Sequence, residues 1–266
     1  MINLAVENIT LSYNHHPVVE DFSFTLQPGE IVGLIGPNGC GKTSIIKAVS
    51  RILGLKSGTI KLNGEDIYLY PRSNFARILG VVPQNPFIPD TFTVFEVVLL
   101  GRNPHLGMFR TESTHDMAVV WKAMKQTGVD ALAARRMGEL SGGEKQRVTI
   151  ARVLAQEPSA ILLDEPTANL DISHQMEILK LIRKLCRRNN LLVMVAIHDL
   201  NMAAQYCDRL ILMKSGRVYS QGTPWEVITE QNIRNVYGAD SIVHPHPENK
   251  RPVVLINADE HDNVEA

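Results

Sequence analysis

The residues Ile31–Val49, IVGLIGPNGCGKTSIIKAV, decide how this chain is read. Ile31 to Ile35 is an apolar run of buried-strand length. GPNGCGKT follows, and its Gly36, Gly41, Lys42 and Thr43 satisfy the spacing GxxxxGK[ST]. Beyond it Ile45, Ile46, Val49, Ile52 and Leu53 recur at the spacing of one helical face. Strand, glycine loop and helix in that order form a phosphate cradle, because glycines let the backbone curl while its N–H groups and the positive helix end face anionic oxygens. The residues expected around the phosphates are Gly36, Pro37, Asn38, Gly39, Cys40, Gly41, Lys42, Thr43 and Ser44. Lys42 is placed to reach the β- and γ-phosphates and Thr43 to ligate Mg²⁺. A dinucleotide fold is disfavoured, since the spacing is GxxGxG and not GxGxxG.

The rest of the composition is ordinary for a globular chain. Of 266 residues, 44% are hydrophobic and 21% charged, which argues against disorder. Lys plus Arg is 27 against 28 Asp plus Glu, so nothing electrostatic calls for nucleic acid as a partner. The longest apolar stretch, Leu191–Ile197, is too short to cross a bilayer, and MINLAVENIT lacks the features of a signal peptide, so a cytoplasmic chain is expected. Cys40, Cys186 and Cys207 are scattered, which suits free thiols.

Strand-like runs occur at 2–6, 22–26, 31–35, 59–62, 81–82, 161–163, 192–197 and 209–213. Several are continuously apolar, as in a sheet covered on both faces. From about 86 to 155 the pattern turns helical, with helices expected at 94–100, 117–127 and 143–156, and this stretch reads as an insertion. A short helix at 230–237 leads to a hairpin of 241–244 and 253–256, and the polar residues 259–266 are expected to fray.

A phosphate loop needs an acidic group for its metal, and AILLDEP supplies Asp164 and Glu165 at the end of an apolar strand. Asp164 can orient the Mg²⁺ shell, and Glu165 can accept the proton of an attacking water. LSGGE, Leu140–Glu144, then offers a second anion site: free N–H groups at a helix start plus the Ser141 hydroxyl. A plain glycine turn capping a helix is the alternative for this motif taken alone.

LSGGE together with the phosphate loop resembles the signature sequence of ABC-type ATPases, and the other motifs fall in that family's order from about residue 2 to residue 230. The resemblance implies an α/β fold: a P-loop NTPase, RecA-like core with an antiparallel β subdomain and an inserted α-helical subdomain. The expected ATPase domain is 1–238, its core about 1–85 and 156–238 and its helical part about 86–155, followed by a small hairpin and tail at 239–266. By resemblance, Tyr13 stacks on adenine, Gln84 in VVPQNPF touches Mg²⁺, and His198 contacts the γ-phosphate. Catalysis then falls to Glu165, His198 and Lys42, with Thr43, Gln84 and Asp164 around Mg²⁺. Ser141, Gly142, Gly143 and Glu144 close over ATP held by another copy, and Asn169 and Asp171 in ANLD cross the interface of a head-to-tail homodimer. Glu144 stands where many members carry Gln, with little expected consequence. Cys40 departs from the pattern inside the phosphate loop; an inert filler is the default there, and the alternative is a reactive thiol whose pKa the helix N-terminus lowers.

The segment TFTVFEVVLLGRNPHLGMF, 91–109, looks like that of importers handling iron chelates, haem and cobalamin, in which similar GR-x-PHLG segments occur. The implied protein is an ATPase peripheral to the cytoplasmic face of the inner membrane, docked beneath a permease that receives cargo from an extracytoplasmic binding protein. Packing within the insertion is the plainer role of the same segment. A soluble ABC ATPase, or an importer subunit for another cargo, is the alternative, and the lack of tandem motifs or added arms favours transport. HPHP, His244–Pro247, places two histidines on one face of a short strand, which is fewer ligands than a metal site needs.

Overall fold

The computed structural model describes residues 3–14, 16–106 and 111–256. A six-stranded sheet is its centre, built from β3 (Ile31–Ile35), β6 (Leu79–Val82), β7 (Ala160–Asp164), β8 (Leu192–Ala196), β9 (Arg209–Lys214) and β10 (Arg217–Gly222) in the order β10-β9-β3-β8-β7-β6. All neighbours are parallel except β10, which runs antiparallel to β9. The residues of β3, β7 and β8 are all buried, as continuous apolar strands with both faces covered must be.

One face carries α1 (Lys42–Val49) and, beyond it, the antiparallel sheet β2-β1-β4-β5 made of β1 (Leu4–Tyr13), β2 (His16–Leu26), β4 (Ser57–Leu62) and β5 (Glu65–Asp66). The other face carries α3 (Val94–Leu99), α4 (Thr114–Thr127), α5 (Gly142–Leu154), α6 (Ile172–Asn189) and α7 (Leu200–Tyr206). Each face therefore has its own apolar core, and the sheet separates them. A short α2 (Arg72–Ile78) precedes β6. At the C-terminal end lie α8 (Pro224–Val227), α9 (Glu230–Tyr237) and the hairpin β11 (Ser241–Pro245) with β12 (Pro252–Ile256). The hairpin is fixed to α7, since the Asn201 side chain both accepts from Val254 N (2.7 Å) and donates to Val254 O (3.1 Å).

The structure extends several expected elements. β1 continues to Tyr13 because Asn8 sits at φ 48° in an irregularity, after which Ile9 and Leu11 resume the inward alternation one residue out of phase. α4 starts at Thr114 because Ser113 and Asp116 cap each other reciprocally: Ser113 Oγ accepts from Asp116 N and Asp116 Oδ2 from Ser113 N. The residues expected to fray, 259–266, lie outside the described residues, as do 107–109 of the importer-like segment.

The GR-x-PHLG segment packs inward over its described part. Arg102 is 2% exposed and donates to Asp116 Oδ1 (2.8 Å), Ala155 O (2.8 Å) and Glu157 Oε2 (2.9 Å). His105 Nε2 lies 2.8 Å from Gln156 O. At Gly101 a Cβ would stand 2.1 Å from the Arg152 carbonyl, so only glycine fits this approach to α5.

Candidate functional site

The loop between β3 and α1 takes conformations that side chains disfavour. Gly36 has φ 147°, and a Cβ there would meet Met213 O at 2.6 Å; Gly41, the N-cap of α1, has φ 108°. Lys42 is buried, and its Nζ donates to Gly36 O (2.8 Å) and Pro37 O (3.2 Å), which holds the ammonium over the loop. Thr43 Oγ1 donates to Asp164 Oδ1 at 3.1 Å, joining the start of α1 to the end of β7. Burial raises the Asp164 pKa, the bond from Thr43 opposes this, and the Glu165 charge adds to the rise. A hydroxyl beside a buried carboxylate is a pair of hard oxygen donors, which fits Mg²⁺.

Glu165 follows in a left-handed backbone, φ 46°, unusual for a residue other than glycine. Its Oε2 accepts from Gln84 Nε2 at 2.7 Å. Among the described residues Gln84 thus hydrogen-bonds Glu165 and makes no hydrogen bond to Thr43 or Asp164. A cavity of about 630 Å³ is lined by Pro37, Asn38, Gln84, Glu165, Asn169 and His198, and Gly36 and Tyr237 close it. His198 stands exposed at the end of β8, level with the carboxylates at the end of β7. The phosphate loop, both acidic residues' strand end, Gln84, Asn169 and His198 are therefore gathered at one edge of the sheet.

Tyr13, Asp171 and the four residues Ser141–Glu144 sit elsewhere. Tyr13 is 42% exposed at the end of β1, opposite His16, and is not in that cavity lining. Asp171 caps α6, its Oδ1 accepting from His174 N (2.8 Å) and touching His174 Nδ1 (2.7 Å). Ser141 caps α5 in a reciprocal arrangement with Glu144, whose Oε2 accepts from both Ser141 N and Ser141 Oγ at 2.8 Å. These bonds hold the Glu144 carboxyl below its ordinary pKa. None of residues 141–144 lines the cavity beside Lys42. A Cβ on Gly143 would come within 2.6 Å of the His174 ring, so the starts of α5 and α6 pack directly on each other.

Cys40 is 4% exposed, and burial pushes its thiol above the ordinary value against the pull of Lys42, which accords with the inert filler expected by default. One expectation is corrected. His244 and His246 do not share a strand face: β11 ends at Pro245, and His246 lies in the turn, its Nδ1 accepting from Glu248 N at 3.2 Å.

Tyr237 is the residue that the sequence reading missed. It ends α9, and its buried hydroxyl lies near the Gly36 N–H without forming a hydrogen bond; burial raises its pKa strongly. A neighbouring cleft of about 380 Å³ is lined by His198, Asp199, Tyr237, Val254 and Ile256, so the end of the hairpin also reaches this edge.

The sequence profile of the family described as "ABC transporter" matches residues 19–168. The chain is 38% identical over 255 residues to the iron(3+)-hydroxamate import ATP-binding protein FhuC of Bacillus subtilis, covering 96% of this chain and 95% of that one. It is 39% identical to the ferric enterobactin transport ATP-binding protein FepC of Escherichia coli, covering 94% and 92%. Among solved structures, an inward-facing putative metal-chelate type ABC transporter superposes with TM-score 0.84 at 27% identity, covering 96% of this chain and 97% of that one.

Proposed function

Because the chain belongs to the ABC transporter family of ATPases, we propose that it is the ATP-hydrolysing subunit of an importer that takes up a metal chelate: an iron–siderophore, haem or cobalamin. The observation that carries this reading is the separation of two anion sites. Gly36 and Pro37, whose carbonyls hold the Lys42 ammonium, line one cavity with Glu165 and His198, whereas Ser141–Glu144 lie outside it. A second copy placed head to tail supplies its signature residues to that cavity, which makes the homodimer the hydrolysing unit. The names of FhuC and FepC support import of iron chelates, and the metal-chelate type of the solved transporter agrees.

In this mechanism Lys42 exchanges the carbonyls of Gly36 and Pro37 for β- and γ-phosphate oxygens, and the loop N–H groups hold the remaining charge. Thr43 and Asp164 would hold Mg²⁺, which when bound supplies positive charge to the phosphate oxygens. Glu165 accepts the proton of the attacking water, and the Gln84 amide fixes the carboxylate's orientation at 2.7 Å. His198 faces the γ-phosphate from the end of β8. Asn169 and Asp171 run along the interface between copies, and Tyr13 stacks on adenine from the antiparallel sheet.

No described helix is long and apolar enough to cross a membrane. The transport reading therefore requires a separate permease, fed by an extracytoplasmic binding protein, with this chain on the cytoplasmic face of the membrane. The surface for the permease is the start of the helical part: Phe87, just after Gln84, is 94% exposed, and a hollow of about 240 Å³ lies beside it between Ile88, Asp90 and Lys145. Isolation of the tagged protein from native membranes in mild detergent should bring down a permease of many spans in fixed ratio. Recovery with soluble partners only, and none from membranes, would refute the importer reading and favour a soluble ABC ATPase.

A further inference from the structure

A large hollow lies on α6 and α7 and shares no lining residue with the cavity at the phosphate loop. It measures about 750 Å³ and is bounded by α6, α7 and the turn of the C-terminal hairpin. That volume is within the roughly 300–1,000 Å³ of small-molecule sites. Lys180, Arg183, Lys184 and Arg187 line it from α6 at i, i+3, i+4 and i+7, a single helical stripe.

The stripe is mostly uncompensated. Arg187 pairs with Asp208 and donates to Gly29 O. Lys180, Arg183 and Lys184 make no ion pair among the described residues, and Arg183 has only a 3.5 Å contact to Gln205 O. Glu248 is the single acid in the lining. Arg251 adds a further cation close by, its guanidinium bound to Ala204 O (2.7 Å) and Cys207 O (2.6 Å). Burial lowers the Arg251 pKa, and the Arg183 charge lowers it further, as expected of like charges held together. A chain of formal net charge −1 thus places four of its 27 Lys and Arg residues along one concave surface.

The lining also has directional polar groups and an apolar side. Asn249 Oδ1 accepts from Arg251 N (3.0 Å), which turns Asn249 Nδ2 onto Gln205 Oε1 (2.6 Å). That order fixes the Gln205 amide and leaves its buried Nε2, a donor, without a partner. Met176, Met202 and Tyr206 provide half-buried apolar surface on the same hollow.

We propose that this hollow binds a small multivalent anion, carrying phosphoryl or carboxylate groups, between the α6 cations and the hairpin turn. Lys180, Arg183 and Lys184 take the charged groups, and any carbon skeleton rests on Met202 and Tyr206. An occupant ties together α6, which begins at Asp171, and α7, which begins just after His198. Its lining runs along both helices, from Met176 on α6 and from Asn201 on α7, so it touches two helices that begin near the proposed ATP site.

The test is calorimetric titration of the full chain carrying Lys42→Ala, which removes the phosphate-loop cation, with inorganic pyrophosphate and separately with citrate at about 0.15 M salt. Saturable binding of either, one per chain, is expected, and the stronger of the two identifies the group recognised. The triple change Lys180→Gln, Arg183→Gln and Lys184→Gln should weaken it at least about tenfold, since it removes the three cations that take the charged groups. All three side chains are at least partly exposed, so the fold should survive, which a thermal melt checks. Lys122→Gln with Lys125→Gln on α4 should leave binding unchanged. Three results would overturn the proposal: neither anion binds, the α4 pair weakens binding equally, or binding appears only after deletion of residues 257–266. In the last case the acidic Asp259, Glu260, Asp262 and Glu265 of the chain itself fill the hollow.

Discussion

Glu165 combines a strained backbone with a carboxylate held by one amide, and both features serve orientation more than affinity. Glu165→Gln should accordingly bind ATP like the parent protein yet hydrolyse it about 10²–10⁴-fold more slowly, the usual contribution of a general base. Single-turnover hydrolysis alongside nucleotide binding measures both, and near-normal turnover would remove Glu165 from that role. Lys42→Ala should instead lose binding and hydrolysis together, because Lys42 meets the ground state as well as the transition state. The cysteines give a separate test. Cys40 is raised by burial, Cys186 is pushed up to about 11 and Cys207 up to about 12, again chiefly by burial. A chromogenic disulfide reagent should find almost no reactive thiol in the folded protein and all three after unfolding. Lys42, Thr43, Asp164 and Glu165 were legible in the sequence because loop spacing and a strand end are local signals. Tyr237 was not, because its place against Gly36 depends on how α9 packs across the whole chain.

At the level of elements, the helical part is fastened by the buried Arg102. Ser113, first, and then Arg102 hold the Asp116 carboxyl well below the usual carboxylate range. Asp116→Asn leaves Arg102 short of a buried partner and should cost about 3 kcal/mol by urea denaturation at neutral pH. The unfolded chain binds the Asp116 proton at higher pH than the folded one. The stabilisation is therefore complete above the unfolded pKa of about 3.9 and fades as pH falls toward the lower folded value. The difference between parent and variant should shrink in step, which denaturation at a series of acid pH values measures. Gly101→Ala should destabilise by about 1–3 kcal/mol, since the obstacle is the Arg152 backbone and not a movable side chain. The apolar strands β3, β7 and β8 and the helix α9 were readable from pattern alone. β10 was not, because its residues are only half-buried or exposed, and β5 is two residues long. α6 was passed over although it is 18 residues long, because its five Lys and Arg residues break up the apolar face that Ile178, Leu179, Ile182 and Leu185 bury.

For the whole molecule, the separate positions of Lys42 and Ser141 make nucleotide-driven pairing the expected behaviour. Light scattering should show Glu165→Gln doubling its mass with ATP, whereas adding Ser141→Arg should leave it monomeric while it still binds nucleotide. A variant with both changes that still pairs on ATP would remove the signature loop from the interface. The close approach of Gly143 to the His174 ring packs the start of α5 directly on the start of α6. The closing strand matters for handling the protein as well. β12 ends at Ile256, in the same cleft as His198 and Asp199. Because the last described strand closes a cleft shared with His198, a loss of activity in a C-terminal fusion should be compared with a fusion at another surface site before it is read as biology.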